Sequence, residues 1–110
     1  MTGKILIIIA TANKEKALTG LMYATNAKKF GWVEDIKTIF FGPAQNLMVT
    51  DTEVSQAVQK LAEQGETIAC KFIADRDELS DSTEKLGVQV EYVGTVISDL
   101  VKDGYVPMVW

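Results

Sequence analysis

Short apolar runs alternate along the chain with longer stretches in which apolar residues recur every three or four positions, the rhythm of strands separated by helices. The first run, Lys4 to Ala10 (KILIIIA), is continuous and rich in β-branched residues. That composition marks a strand covered on both faces, the signature of a parallel sheet. Thr11, Ala12 and Asn13 make a polar turn, and from Glu15 to about Lys29 the positions Leu18, Leu21, Met22 and Thr25 trace a helix. Gly31 is placed to cap that helix, with Lys28 and Lys29 set against the negative end of its dipole.

The same reading continues to the last residues. Asp35 to Phe41 predicts a second strand stopped by Gly42-Pro43, and Leu47 and Met48 sit on a helical turn. Asp51 or Thr52 caps a helix whose stripe is Val54, Ala57, Val58, Leu61 and Ala62, ended by Gly65. Thr67 to Phe72 predicts a third strand, Arg76 to Leu86 a short acidic helix ended by Gly87, and Val88 to Val93 a fourth strand. Thr95 is placed to cap a brief helix burying Val96, Ile97, Leu100 and Val101, and Gly104 releases the chain into YVPMVW, a strand that Pro107 confines to an edge. Strands alternating with helices require crossovers, so the pattern predicts an α/β fold: one domain over 1–110, a three-layer α/β/α sandwich around a mostly parallel five-stranded sheet. Ligands of such sheets sit beyond the carboxyl ends of the strands, which singles out Thr11 to Asn13, Gly42 to Met48, Cys70 to Asp75, and Gly94 to Thr95.

Composition narrows the chemistry. A chain of 110 residues, 47% hydrophobic and 24% charged, can bury a core without a disulfide, and its single cysteine permits none within the chain. Eleven Lys and Arg scattered among fifteen Asp and Glu, net −4, leave no continuous positive stripe for nucleic acid. The absence of histidine removes Ser-His-Asp and Cys-His catalysis and, with one cysteine, the usual zinc sites. Neither a Gly-x-Gly-x-x-Gly turn nor a phosphate loop is present, so no cofactor and no metal are expected. The longest apolar run is too short to span a bilayer and no secretory signal is legible, so the expected location is the cytoplasm, without membrane association.

Cys70 is the distinctive residue. It stands near the cleft end of a strand with Lys71 adjacent and Arg76 a short loop away, and a nearby positive charge favours the nucleophilic thiolate. The alternative is a buried small apolar side chain, a common fate of free cysteine. Asn13 and the first amides of the following helix offer an anion site, or simply the polar entrance any helix needs. The acids Asp75, Asp77, Glu78, Asp81 and Glu84 read as a solvated helix face. Trp32, Phe40, Phe41, Tyr92 and Tyr105 read as core or subunit-interface residues rather than a platform for stacked bases.

Four segments together, KILIIIATANKEKALTGLMYATNAKKFG, IKTIFFGPAQNLM, LAEQGETIACKFIADRDEL and VQVEYVGTVISDLVKDGYVPMVW, resemble the DsrE/DsrF-like family of small α/β proteins over nearly the whole chain. The most telling parts are a helix ending in glycine, a short strand ending in cysteine, and the closing LVKDGYVPMVW. The resemblance implies a sulfur-relay role in which Cys70 holds sulfane sulfur as a persulfide, with sulfur donor and acceptor proteins as partners, and a homo-oligomer, usually a trimer or hexamer. Where the family often has a stretch rich in Gly or Ala after the cysteine, this chain has KFIADRDEL. Two readings follow: a sulfur carrier, transferase-like at most, with Lys71, Arg76 and Asn13 supporting the thiolate or a bound anion, or a non-catalytic oligomeric binding or assembly module with a small-anion or nucleotide cleft and a structural Cys70.

Overall fold

In the computed structural model, which describes residues 3–110, the apolar run near the start forms strand β1 (Lys4–Ile9). It is followed by α1 (Lys14–Phe30), β2 (Asp35–Phe40), α2 (Ala44–Thr50), α3 (Thr52–Gln64) and β3 (Thr67–Cys70). Then come α4 (Lys71–Arg76), α5 (Ser80–Lys85), β4 (Gln89–Glu91), α6 (Val93–Lys102) and β5 (Val106–Val109). The strands form one five-stranded sheet in the order β4-β3-β2-β1-β5, and every pairing is parallel. The sheet with its helices is a three-layer α/β/α sandwich.

Alternation of side chains along each strand builds the two outer layers. Ile7 and Ile9 of β1, Ile36 and Phe40 of β2 and Ala69 of β3 face α1, α2 and α3, meeting Leu21, Ala24, Met48, Val54, Val58 and Leu61. Leu6, Ile39, Ile68 and Cys70 face the opposite way, toward α6 and Tyr105, with Val93, Val96, Ile97 and Leu100 above them. The first layer is closely covered. The second rests mainly on one ten-residue helix.

Local signals act as the residues dictate. Asp51 caps α3 by accepting from the Val54 N–H (3.0 Å), and Gly31 closes α1 in the left-handed region at φ 63°. Gly20 is required by a close approach: a Cβ there would lie 2.7 Å from both Ile9 Cδ1 and Trp110 Cγ. Beside β1, the Trp110 N–H donates to the Ile8 carbonyl (2.8 Å), and the Trp110 carbonyl accepts from Ala10 and Thr11 (2.9 and 3.1 Å). Pro107 lies on β5, an outermost strand, as expected.

Four expectations are corrected. β3 stops at Cys70 rather than Phe72, because its neighbour β4 is only three residues long and Cys70 already pairs with its last residue, Glu91. The single helix expected from Arg76 to Leu86 is two: α4 starts directly after Cys70, and the chain breaks at Glu78, φ 57°, where the Leu79 N–H folds back onto the Ala74 carbonyl (2.7 Å) and Leu79 is buried. α6 begins at Val93, with Tyr92 and not Thr95 at its cap position. Val101, expected on the buried face of α6, is 47% exposed; the aromatics read as core or subunit-interface residues divide into the buried Phe40 and Tyr105 and the exposed Trp32, Phe41 and Tyr92.

Candidate thiol site

Three successive connections, after β1, β2 and β3, carry the chain across the sheet in one direction, and the fourth, through α6, returns it over the other face to β5 beside β1. Right-handed crossovers require that change of face. The reversal falls between β3 and β4, and the crevice beyond the carboxyl ends of such a strand pair is where open α/β sheets bind ligands. Cys70 and Glu91, register partners at those two ends, stand there.

Cys70 is the last residue of β3 and the N-cap of α4, with extended backbone (φ −64°, ψ 118°) and no hydrogen bond from its side chain to the helix. Its residue surface is 5% exposed, and it packs with Ile68, Val93 and Ile39 on the α6 side. The thiol is thus buried among aliphatic side chains, at the end of a strand rather than in mid-sheet.

The junction is held by a residue the pattern of the chain did not single out. Gln45, fully buried in α2, donates from Nε2 to the Cys70 carbonyl (3.0 Å) and accepts at Oε1 from the Gly42 N–H (3.0 Å). One amide therefore joins the loop after β2 to the end of β3, satisfying two backbone groups that have left the ladder. Its position three residues after the Gly42-Pro43 break is the available signal; within a stretch read only as a turn carrying Leu47 and Met48, a glutamine looks like surface.

Lys71 and Arg76 flank the junction but are engaged with acids. Lys71 Nζ lies 2.9 Å from Asp75 Oδ2 and 5.9 Å from the centre of the Tyr92 ring. Arg76 grips Asp77 through Nε and Nη2 (2.9 and 3.1 Å). These contacts raise both cations' pKa values above their ordinary ones, Lys71 through Asp75 first and Arg76 through Asp77 first, with a smaller contribution from Cys70 to Arg76. Asp75 is held below the usual carboxylate range by the Ser80 hydroxyl and then Lys71, and Asp77 by Arg76.

Asn13 is not part of this group. Its Oδ1 caps α1 by accepting from the Lys16 N–H (3.0 Å), and its own N–H donates to Thr11 Oγ1 (3.0 Å). With β2 between β1 and β3, the two loops are about 10 Å apart laterally, two strand spacings. Around Cys70 the edge is instead aromatic: Phe72 and Tyr92 are each more than 60% exposed, and Phe41 is 40% exposed. Among the described residues no group of three or more His, Cys, Asp or Glu is arranged to hold a metal, and no helix is long and apolar enough to cross a membrane.

The fold is shared with solved structures. A conserved protein of unknown function from Bacteroides thetaiotaomicron, BT1422, superposes with a TM-score of 0.85 at 24% identity, over 97% of this chain and 95% of that one. MTH1491 from Methanobacterium thermoautotrophicum, also of unknown function, gives 0.78 at 18% identity over 98% and 99%, and the ychN protein of E. coli gives 0.74 at 14% over 97% and 99%. No protein-family model and no curated protein matches the chain. At these identities the likeness defines the architecture: a small three-layer α/β protein with an all-parallel sheet.

Proposed function

We propose that the protein is a cytoplasmic sulfur carrier that holds sulfane sulfur on Cys70. The observation that carries this reading is the position of the thiol: at the carboxyl end of β3, beside the strand reversal, on a junction that the buried Gln45 spends both polar ends fixing. The Cys70 thiolate attacks the outer sulfur of a donor persulfide, R–S–SH. A new S–S bond forms on Cys70, the donor's S–S bond breaks, and the donor departs as a thiolate while the proton stays on the transferred sulfur. An acceptor thiolate then attacks the terminal sulfur of Cys70–S–SH, the S–S bond to Cys70 breaks and the Cys70 thiolate is regenerated; no external oxidant or reductant is consumed.

Partner exchange needs access, and the exposed ring of Phe41, Phe72 and Tyr92 around the junction supplies a surface on which donor and acceptor can dock. The working form is proposed to be a homo-oligomer, a trimer or hexamer. The exposed Val101 and Val109 beside the thin α6 layer support a further copy on that side. The cover over Cys70 favours a second reading, a non-catalytic binding module whose cysteine only packs.

Intact-mass measurement after incubation with inorganic polysulfide, followed by removal of excess, separates the two. The carrier adds the mass of one sulfur atom, lost on treatment with a small thiol and absent in Cys70→Ser. No adduct on the native protein, together with thiol labelling only after denaturation, rejects the carrier in favour of the module.

A further inference from the structure

Helix α1 is apolar on two sides. Ala17, Leu21, Ala24 and Ala27 point inward and are buried, yet Leu18, Met22 and Asn26, each one turn apart, border the crease with α3, and the same ridge, turning about 40° per step, continues to Phe30 on the outer face of the helix. Met22 and Phe30 are about 60% exposed, and beyond the Gly31 turn the half-exposed Trp32 stacks on Phe30 with ring centres 5.8 Å apart. Between α1 and α3 runs an open crease of about 240 Å³, lined by Leu18, Leu21, Met22, Thr25, Ala57 and Lys60 among others. Taking large side chains at roughly 150–250 Å² each, Met22, Phe30 and Trp32 leave on the order of 300–400 Å² of apolar surface open here, the size of a typical monomer's largest and often functional patch.

The charge around this patch is distinctive. Residues 14–32 hold Lys14, Lys16, Lys28 and Lys29 against Glu15 alone, net +3 in a chain of net −4. Lys14 is spent on Asp51 and Glu53, and Lys28 leans toward Asp35. Lys29 and Lys60 make no ion pair among the described residues, and Lys60 borders the crease itself.

The geometry points to a docking surface for an acidic amphipathic helix of a partner protein, laid in the α1–α3 crease. From Leu18 in the crease to Phe30 on the outer face the ridge runs about 18 Å, three turns of such a helix crossing α1 along it. Apolar anchors at every third or fourth residue seat against Leu18, Met22, Ala57 and Phe30, and carboxylates on the partner's flanks meet Lys29 and Lys60. A concave crease receives side-chain knobs, which a flat bilayer lacks, and the acidic remainder of the chain disfavours anionic lipid. This surface lies on the opposite side of the sheet from the Cys70 side chain and is independent of the thiol chemistry.

The test uses the full chain and a labelled synthetic helix of about 18 residues with leucine anchors and flanking glutamates, beside the same peptide with lysines for glutamates. Fluorescence anisotropy should show saturable binding of the glutamate peptide at tens of micromolar, weakened about five- to tenfold by the double change Lys29→Glu, Lys60→Glu and abolished by Met22→Lys. Unchanged circular dichroism and unchanged Cys70 labelling show that these surface variants remain folded. The proposal is overturned if the glutamate peptide fails to saturate up to about 200 μM or the lysine peptide binds equally well. It is equally overturned if phosphatidylglycerol vesicles bind through this face, or if the lysine changes alter the sedimentation of the protein alone, which would give the face to a second copy.

Discussion

Replacing Gln45 by methionine removes two hydrogen bonds while keeping most of the side-chain volume. The Gly42 N–H, bonded at 3.0 Å to Gln45, then has no partner, and the Cys70 carbonyl, also bonded at 3.0 Å, keeps only its role as the N-cap acceptor of α4, in a site that is wholly closed at Gln45. A buried polar group left unsatisfied costs about 1–3 kcal/mol, so the expected loss is about 2–4 kcal/mol once some relaxation toward water at the partly buried Gly42 is allowed. Gln45→Ala adds a small cavity and should cost about 1 kcal/mol more. For a domain of this size the methionine change corresponds to roughly 8–15 °C in Tm. Urea denaturation reads the loss directly as a lower midpoint at constant slope. The reasoning also demands a local effect. Cys70 labelling under native conditions should accelerate more in Gln45→Met than in Val58→Ala, a core change on α3 chosen to destabilise the protein by a similar amount. A loss below about 1 kcal/mol, or equal labelling in the two variants, would refute the assignment of Gln45 as the tie that holds the junction.

Gly20→Ala, which favours an isolated helix, should instead destabilise by about 1–3 kcal/mol because the added carbon meets Ile9 and Trp110, and Ile9→Val in the same chain should recover part of the loss in thermal melts. The Tyr105 hydroxyl donates to Asp35, and that bond, with burial second, raises the Tyr105 pKa to about 12. Burial alone would raise Asp35, but Tyr105, Lys37 and Lys28 together hold it below its ordinary value. The depressed carboxylate stabilises the fold above its unfolded pKa near 4 and loses that contribution as pH falls, while the raised phenol stabilises below about 10 and loses its contribution as pH climbs through about 12. Tyr105→Phe should therefore cost about 1–2 kcal/mol near neutrality, with the difference from wild type shrinking at both extremes; a pH-independent difference contradicts the pairing. Native Cys70 should react with a maleimide many times more slowly than after denaturation, and a rate equal to that of a free peptide thiol would contradict its cover of Val93 and Ile68.

The architecture was legible because its signals are local and redundant. The β-branched run of β1, the Asp51 cap, the stops at Gly31 and Gly65, and the edge position of Pro107 each follow from backbone preferences acting within a few residues. What was not legible depends on neighbours distant in sequence. KFI after Cys70 reads as more strand until β4 proves three residues long, and Glu78 reads as mid-helix until the burial of Leu79 is known. At the candidate site, Cys70 was identifiable as the only cysteine, and Lys71 comes with it. Its junction partner Gln45 arrives through a bond spanning 25 residues, and Asn13, which shared the carboxyl-end address, is occupied by its own helix.

The outermost position of β5 has a consequence for how copies of this protein meet. Because the Trp110 N–H points inward to Ile8, alternation turns the backbone groups of Pro107 and Val109 toward the free margin. Proline contributes no donor there, so within β5 Val109 alone offers an N–H to an incoming strand. At the other margin β4 spans three residues, with Gln89 and Glu91 exposed. Neither rim can template a growing ribbon of like chains, which protects a sheet this rich in isoleucine from fibril formation. Side chains on the faces, rather than backbone groups on the rims, are the broader contact surface this sheet offers to another copy.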